Sequence, residues 1–235
     1  MARIIELSPV FSEAASTQFH YVNGIWNSRL QTERLAVQRG HSYRRPPDAG
    51  VSAAASRALL AGADALILAP TTAAATGMWQ PAHGEESGRI IGQRLLDGLA
   101  ADRPDLHIVL ISHFLVGHGL THRNAKASTW GLHALEAHLR GGRNPWTILR
   151  PTWLSTIHDP SYQTRLSQDR YADGLVSTES VAAAVLTAIE FPATSVGRTA
   201  AIFSLSIPET GTTDLTAQFA AIERDLEADL AVVPA

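Results

Sequence analysis

The sequence predicts an α/β fold, doubly wound around a mostly parallel sheet with helices on both faces. Two observations predict it: short apolar runs of strand length recur along the chain, and segments with apolar residues at helical spacing separate them. This alternation is typical of parallel strands joined by crossover helices, whose right-handedness fixes the winding. The chain has 235 residues, 45% of them hydrophobic, and no linker or internal repeat. We therefore expect a single domain over residues 1–235.

The strands are predicted from apolar runs. Four runs qualify: residues 65–69, 107–111, 146–149 and 199–205. The first of them contains only apolar residues and is followed by Pro70, which indicates a strand buried on both faces. A shorter extended piece is predicted at residues 42–45. The first strand has two alternatives, residues 3–7 and residues 18–22, and the sequence does not choose between them.

The helices are predicted from apolar residues that recur on one face. They cover residues 25–38, 85–99, 130–139 and 181–189. In the second of these helices Ile91, Leu95 and Leu99 lie four apart. The tail carries a further apolar stripe from Leu215 to Leu230. This stripe packs either on the chain's own sheet or on a second subunit, so a homodimer is left open.

Composition excludes several classes of function. The chain has 19 Lys+Arg against 22 Asp+Glu, which leaves no basic stripe for a phosphate backbone, so we expect no nucleic-acid partner. The absence of Cys excludes disulfides, thiolate zinc sites and a Cys nucleophile. The apolar run near the N-terminus is too short for a signal peptide or a membrane anchor. We therefore expect a cytoplasmic protein with no membrane partner, and the abundance of Ala and Arg suggests a bacterial one.

Five segments, taken in order, carry a likeness to a known family. They are residues 61–67, the strand end at residues 110–112, the helix with Glu136 and residues 139–140, the strand at residues 146–151, and residues 176–182. In this order and at these spacings they resemble the atypical, NmrA-like branch of the short-chain dehydrogenase/reductase superfamily. The resemblance implies a Rossmann-like fold that binds a nicotinamide dinucleotide. We expect substrate-side elements at about residues 151–177 and 206–235.

The glycine-rich turn through which this family binds pyrophosphate is missing from both candidate positions. Residues 8–12 contain no Gly, and residues 21–27 contain only Gly24, beside Trp26 and Asn27. Only residues without a Cβ let a pyrophosphate approach bare backbone amides at such a turn. We therefore expect that the chain has lost its cofactor.

The alternative is that NADP(H) still binds through an unusual phosphate loop. Gly24 would then stand at the turn, and Arg44 and Arg45 occupy the place where the family holds a 2′-phosphate. Residues 45–65 are too few for a strand, a crossover and a helix, so the family's third strand is predicted to be shortened or lost.

The family's redox dyad is also absent. Redox members use a Tyr with a Lys four residues later, which passes a proton to or from a carbonyl during hydride transfer. Counting back from Glu136, the corresponding positions hold Ser128 and Leu132. This departure argues against a carbonyl reductase of the usual type.

Histidines provide the candidate catalytic groups. Ser112 and His113 follow a predicted strand at the edge where open α/β sheets bind ligands, and His118 and His122 lie in the same loop. We predict His113 as a general acid/base with Ser112 as its hydrogen-bond partner. The spacing of His118 and His122 would suit a metal only on a helix, and the glycines of this loop, one of them Gly119, argue against one, so no metal is expected.

Substrate residues are predicted in loops that follow strands. Met78, Trp79 and Trp153 are predicted to line an apolar pocket, and Arg150 could hold an anionic group or satisfy carbonyls at the strand end. These residues favour a hydrophobic small-molecule substrate, such as a polyketide-like or terpenoid secondary metabolite.

Three functions follow from these observations. The first is an enzyme that lost cofactor-dependent redox chemistry and performs acid/base chemistry: isomerisation, cyclisation, addition or elimination. The second is an NAD(P)H-dependent oxidoreductase, and the third is a non-catalytic sensor or partner-binding protein. We rank the non-redox enzyme, an isomerase or cyclase, ahead of the oxidoreductase because the site lacks both the glycine turn and the Tyr/Lys pair.

Overall fold

A seven-stranded sheet forms the centre of the molecule. The computed structural model describes residues 1–11, 19–20, 27–45, 50–51, 53–72, 81–100, 102–122, 127–206 and 214–225. The strands of the main sheet are β1 (Arg3–Leu7), β2 (Ser42–Arg44), β3 (Ala65–Leu68), β4 (His107–Ile111), β5 (Trp146–Pro151), β6 (Tyr162–Ser167) and β7 (Arg198–Ser206). Their order is β2-β1-β3-β4-β5-β7-β6, and every pair is parallel except β6 with β7. The predicted fold class is therefore confirmed.

The strand order also identifies the first strand. Arg3–Leu7 lies between β2 and β3, and four of its five residues are buried. Phe19–His20 forms only a two-residue antiparallel ladder with Gly50–Val51, outside the main sheet. The chain leaves β1 toward β2 on one side and returns to β3 on the other, so the strand order reverses beside β1. In open α/β sheets ligands bind at such a reversal, beyond the carboxyl ends of the strands.

Helices cover both faces of the sheet. They are α1 (Asn27–Gln38), α2 (Ala53–Leu60), α3 (Pro81–Ile91), which continues as a π-helical stretch over Gly92–Ala100, α4 (Phe114–His118), α5 (Ala127–Arg140), α6 (Thr178–Glu190), α7 (Pro192–Ser195) and α8 (Leu215–Ala221). Side chains of α2, α3, its π-helical continuation and α5 pack on one face, and side chains of α1, α6 and α8 pack on the other.

Burial on both faces explains the continuous apolar runs. Successive strand residues point to opposite sides of a sheet. In β3, Leu66 and Leu68 belong to the core beneath α3 and α5, whereas Ala65 and Ile67 belong to the core beneath α1 and α6. All four of these side chains are buried, so an exposed polar face never interrupts the run.

The tail forms a helix that packs on its own chain. Leu215, Phe219 and Ile222 are buried in the same core as α6. Leu226 and Leu230, the rest of the predicted stripe, lie outside the described residues. The described half of the stripe thus covers this chain's own core.

Several elements were not predicted from the sequence, among them the helices α2 and α7. β6 is an antiparallel edge strand in a segment with no apolar run, and the loop predicted after Ser112 contains the five-residue helix α4. A further pair of short parallel strands, Trp153–Ser155 and Leu175–Ser177, lies between β5 and α6 in the chain. Within the described ranges, each helix is too short or too polar to cross a lipid bilayer.

Candidate active site

The polar candidates converge at the carboxyl edge of the sheet. Ser112 and His113 follow β4, Trp153 lies two residues beyond β5, and Arg45 follows β2. Because parallel strands place their carboxyl ends at one edge, these groups share the edge at which the strand order reverses. The structure thus places Ser112 and His113 at the strand end where the sequence located them.

The Ser112 hydroxyl has a buried partner that the sequence did not predict. Its Oγ donates a hydrogen bond to Oε1 of Glu136 at 2.6 Å, and Glu136 is completely buried in α5. The Arg150 guanidinium binds the same carboxylate through both nitrogens, with Nε 3.0 Å from Oε1 and Nη2 2.6 Å from Oε2. A two-point pair of this kind fixes both side chains in orientation.

Two arginines keep the buried carboxyl ionised. Burial alone raises the pKa of Glu136, but the charge and hydrogen bonds of Arg150 and the charge of Arg140 lower this pKa to about 2. Arg140 also binds Asp225 and Thr199, which connects the carboxylate to the segment after α8. Since an ionised carboxylate only accepts hydrogen bonds, the hydroxyl proton of Ser112 must point at Glu136.

His113 is a neutral imidazole in a fixed orientation. It caps α4, and its Nδ1 accepts the backbone N–H of Leu115 at 3.3 Å. Burial and the nearby His118 lower the pKa of His113 to about 4. The single ring proton therefore resides on Nε2, which has no hydrogen-bond partner among the described residues. The structure pairs Ser112 with Glu136 and His113 with Leu115, rather than with each other.

A row of aromatic and imidazole rings continues from His113. We call it the ring row; its members are His113, Phe114, His118, His122, Trp153 and Tyr171. Phe114 is buried at its centre, with ring centroids 5.0 Å from Trp153 and 5.1 Å from His118. His118 in turn lies 5.8 Å from Tyr171 and 5.4 Å from His122. These contacts bring the three predicted histidines into one cluster.

The predicted substrate residues have different surroundings. Trp153 is 42% exposed beside His113, in agreement with a surface open to ligand. The Arg150 side chain points inward and forms an ion pair with Glu136. The sequence alone suggested two other partners for it, an anionic group and the carbonyls at the strand end. Met78 and Trp79 lie outside the described residues.

At the other end of the edge, β2 presents two arginines. The Arg44 side chain is exposed and has no ion-pair partner in the described part of the chain, while Arg45 lies 3.7 Å from Glu33. Behind them, the Tyr43 and Ser8 hydroxyls donate to the buried Glu6 carboxylate. Gly24 and most of the turn after β1 lie outside the described residues. A short parallel ladder of Val10–Phe11 with Thr71–Thr72 follows β1 and β3 at this edge, and the exposed Arg44 guanidinium stands beside it at the carboxyl end of β2.

The sheet order and the charged edge define a protein of the Rossmann-like class. A family model described as NAD(P)H-binding matches residues 48–192, more than half of the chain, and the chain belongs to that family. The resemblance to the short-chain dehydrogenase/reductase superfamily is thereby confirmed. No curated protein matches the sequence.

Solved structures share the fold at low sequence identity. An NAD-dependent epimerase/dehydratase, so described, from Bacillus halodurans is 14% identical, with 88% of this chain and 96% of that chain covered and a TM-score of 0.64. The oxidoreductase YlbE from Lactococcus lactis is 11% identical, with 93% and 95% covered and a TM-score of 0.63. The anaerobilin reductase ChuY from Escherichia coli O157:H7 is 15% identical, with 90% and 100% covered and a TM-score of 0.54. At these identities the likeness establishes the fold alone.

The expectation that the chain has lost its cofactor is wrong. Membership of an NAD(P)H-binding family overturns it. The expectation rested on the missing glycines at one turn, and the matched residues begin after that turn. A dinucleotide contacts the protein along the whole sheet edge. The composition of one turn therefore does not decide whether the cofactor binds.

Sequence reasoning missed two groups at the site. Glu136 served only to align the chain with the family, although Glu136 and Arg140 at helical spacing, with Arg150 ending an apolar strand, signalled a buried ion pair. Tyr171 and Arg170 lie in a polar loop without periodicity, and no sequence signal connected them with His118.

Proposed function

We propose that the protein is an NADPH-dependent oxidoreductase that reduces a carbonyl group of a hydrophobic organic molecule. The observation that carries the proposal is membership of the NAD(P)H-binding family on a sheet whose ligand edge bears an exposed guanidinium at one end and a neutral imidazole at the other. When bound, the reduced nicotinamide supplies a hydride. The oxidoreductase and the reductase among the solved structures agree with this direction of chemistry.

Arg44 supports the choice of the phosphorylated cofactor. Its guanidinium is exposed at the carboxyl end of β2, next to the strand that ends at the switch point. A guanidinium binds a phosphate through two parallel hydrogen bonds, which a ribose hydroxyl cannot match. Arg45, which lies 3.7 Å from Glu33, adds a second guanidinium directly after the same strand.

His113 is the hydrogen-bond donor to the substrate oxygen. Its Nε2–H is free of partners in the described residues, and its Nδ1 is held by Leu115. A neutral imidazole with a lowered pKa polarises a carbonyl by donating this proton into a hydrogen bond. The proton that completes the product hydroxyl comes from water at the exposed side of the ring row, where Trp153 and Tyr171 reach solvent.

Ser112 acts as a hydrogen-bond acceptor, whereas His113 acts as a donor. Because its own proton is given to Glu136, its oxygen can only accept a hydrogen bond from substrate or cofactor. It positions a donor group and does not polarise the carbonyl. This division of roles replaces the absent Tyr/Lys dyad.

The test is turnover. Purified protein is mixed with NADPH and a panel of hydrophobic aldehydes, ketones and quinones, and the near-ultraviolet absorbance of the reduced nicotinamide is followed. We expect a substrate-dependent decrease that reaches saturation. If substrates are converted without any change in that absorbance, the protein is a non-redox enzyme; if nothing is converted although NADPH binds, it is a sensor. Either result overturns the proposal.

A further inference from the structure

The segment that carries Arg170 and Tyr171 is attached to the helix that follows the proposed catalytic imidazole. His118 in α4 donates its Nε2–H to the carbonyl of Ala172 at 3.3 Å. Arg170 donates its Nε–H to the carbonyl of Gly117 at 3.2 Å. A Cβ at Gly117 would lie 3.2 Å from the Arg170 carbonyl oxygen, so the two segments are in close contact. Arg170 and Tyr171 are thereby fixed relative to His113.

The ring row gives this surface flat apolar walls. Tyr171 is 64% exposed at one end and Trp153 is partly exposed at the other, with Phe114 buried between them. Trp153 meets Phe114 edge to face, and Tyr171 meets His118 in the same way. Such arrangements bind planar aromatic groups by stacking and edge contacts. A saturated ring of equal size offers no π face for these contacts.

One positive charge stands beside the row. The Arg170 guanidinium lies over the Tyr171 ring, 5.2 Å from its centroid. Among the described residues only its Nε–H forms a hydrogen bond, to Gly117, and its terminal nitrogens have no partner there. The adjacent carboxylates are engaged by backbone, since Asp169 accepts the N–H of Tyr171 and Asp173 accepts the N–H of Gly174. Neither forms an ion pair with Arg170.

We infer that the ring row and Arg170 form a substrate subsite for a planar, conjugated molecule that carries an anionic group. The planar part lies against Trp153 and Tyr171, and a carboxylate or similar anion binds the terminal nitrogens of Arg170. The inference rests on the proposed function, because it describes the substrate of the same site. It adds Arg170 and Tyr171 as the residues that determine specificity.

Binding of simple probes tests this inference without turnover. Calorimetric titration compares 2-naphthoate, which is planar and anionic, with its methyl ester, which is planar and neutral, and with decahydro-2-naphthoate, which is anionic, similar in size and not planar. We expect the naphthoate to bind about tenfold more tightly than its ester, since one charge-assisted contact contributes roughly 1.4 kcal/mol. We expect it to bind several-fold more tightly than the saturated acid, because only the aromatic rings can make π contacts with Trp153 and Tyr171.

Two variants separate the contribution of the anion contact from that of the aromatic contact. Arg170→Gln is expected to remove the preference for naphthoate over its ester, and Tyr171→Ala to weaken both planar probes. The control is Arg143→Gln, which removes the same charge from the exposed turn before β5, at the opposite edge of the sheet.

The outcomes separate this inference from the proposed function. Equal binding of naphthoate and its ester, or a preference that survives Arg170→Gln, overturns the anion subsite. Decahydro-2-naphthoate binding as tightly as naphthoate overturns the planar class of ligand. NADPH-dependent turnover of neutral carbonyl compounds would still stand in those cases, whereas naphthoate binding with no turnover of any carbonyl compound would overturn only the proposed function.

Discussion

The side chain of His113 has two separable tasks, a helix cap through Nδ1 and a proposed donor through Nε2. Asparagine is a favourable cap, because its side-chain oxygen replaces Nδ1, but its side chain is too short to replace Nε2. We predict that His113→Asn retains thermal stability and loses kcat by about 10²–10³-fold, the effect of removing one oxyanion donor. Steady-state kinetics with NADPH measure this loss. His113→Asn with unchanged kcat would remove the histidine from the mechanism.

The pH dependence of the wild-type kcat follows from the same residue. The pKa of His113 is lowered from 6.5 to about 4, so the neutral form with its Nε2–H persists at every pH well above 4. We therefore predict that kcat shows no inflection from pH 5.5 to 8. A histidine that acted as a charged acid with an ordinary pKa would lose activity as the pH rises through about 6.5. Such a loss would contradict the assignment.

At the scale of elements, the helices α3 and α5 approach so closely that only glycine fits between them. A Cβ on Gly88 would lie 2.1 Å from the backbone oxygen of Gly131, and backbone atoms cannot move aside as a flexible side chain can. We predict that Gly88→Ala lowers the free energy of unfolding by about 1–3 kcal/mol or more, in the range of overpacked cores. Urea denaturation measures this. Gly40→Ala is an unsuitable control because Gly40 has a positive φ; Gly141→Ala, whose Cβ would meet ordinary contacts at 3.6 Å or more, is the matched one.

Strands with a continuous apolar run were predictable from sequence, whereas an edge strand and a short capped helix were not. The run at residues 107–111 became β4 with the same bounds, because burial on both faces selects apolar residues at every position. The edge strand β6 pairs with a neighbour on one side only and contains polar residues, so its sequence has no continuous apolar run. The helix α4 is five residues long and depends on the His113 cap rather than on helical periodicity.

The positions of the candidate residues at the sheet edge were predictable from sequence, and their hydrogen-bond partners were not. Ser112 and His113 were located correctly at the sheet edge because a strand end is readable from sequence. Their partners, Glu136 and Leu115, depend on packing of a distant helix and on the geometry of a cap. The cofactor was judged from the absent glycines around Gly24, although the free energy of binding such a ligand is distributed over many contacts along the edge.

For the whole molecule, a buried histidine makes stability sensitive to acid. His107, at the amino end of β4, bonds Thr147 through Nε2, and its Nδ1 is buried with no hydrogen-bond partner in the described structure. Burial lowers the pKa of His107 to about 4. In the unfolded chain His107 becomes protonated below about pH 6.5, whereas in the folded chain it becomes protonated only below about pH 4. The free energy of unfolding therefore has its full value above pH 6.5 and decreases as the pH falls toward 4.

The loss can be measured by urea denaturation between pH 7 and 4. A depression of this size corresponds to about 3 kcal/mol for His107 at the acid end. We predict that His107→Leu reduces the pH dependence, whereas His158→Asn, at an exposed position, leaves it unchanged. Burial also lowers the pKa of His113 to about 4, and His113 contributes over the same pH range in the wild type and in both variants, so the difference between His107→Leu and the wild type isolates His107. The lowered pKa of Glu136 acts below its ordinary value of 4.5. An unchanged slope in His107→Leu would contradict the account.

A nicotinamide dinucleotide, in the function proposed here, binds along the carboxyl edge of this sheet despite the missing glycine turn. Binding is measured by calorimetric titration of the purified protein with NADPH and with NADH, with Arg44→Ala as the variant and Arg143→Ala as the charge-matched control. We predict saturable binding, tighter for NADPH by about tenfold, the value of one charge-assisted phosphate contact. Arg44→Ala should remove this preference and leave NADH binding unchanged. Absence of binding by either dinucleotide would contradict the claim.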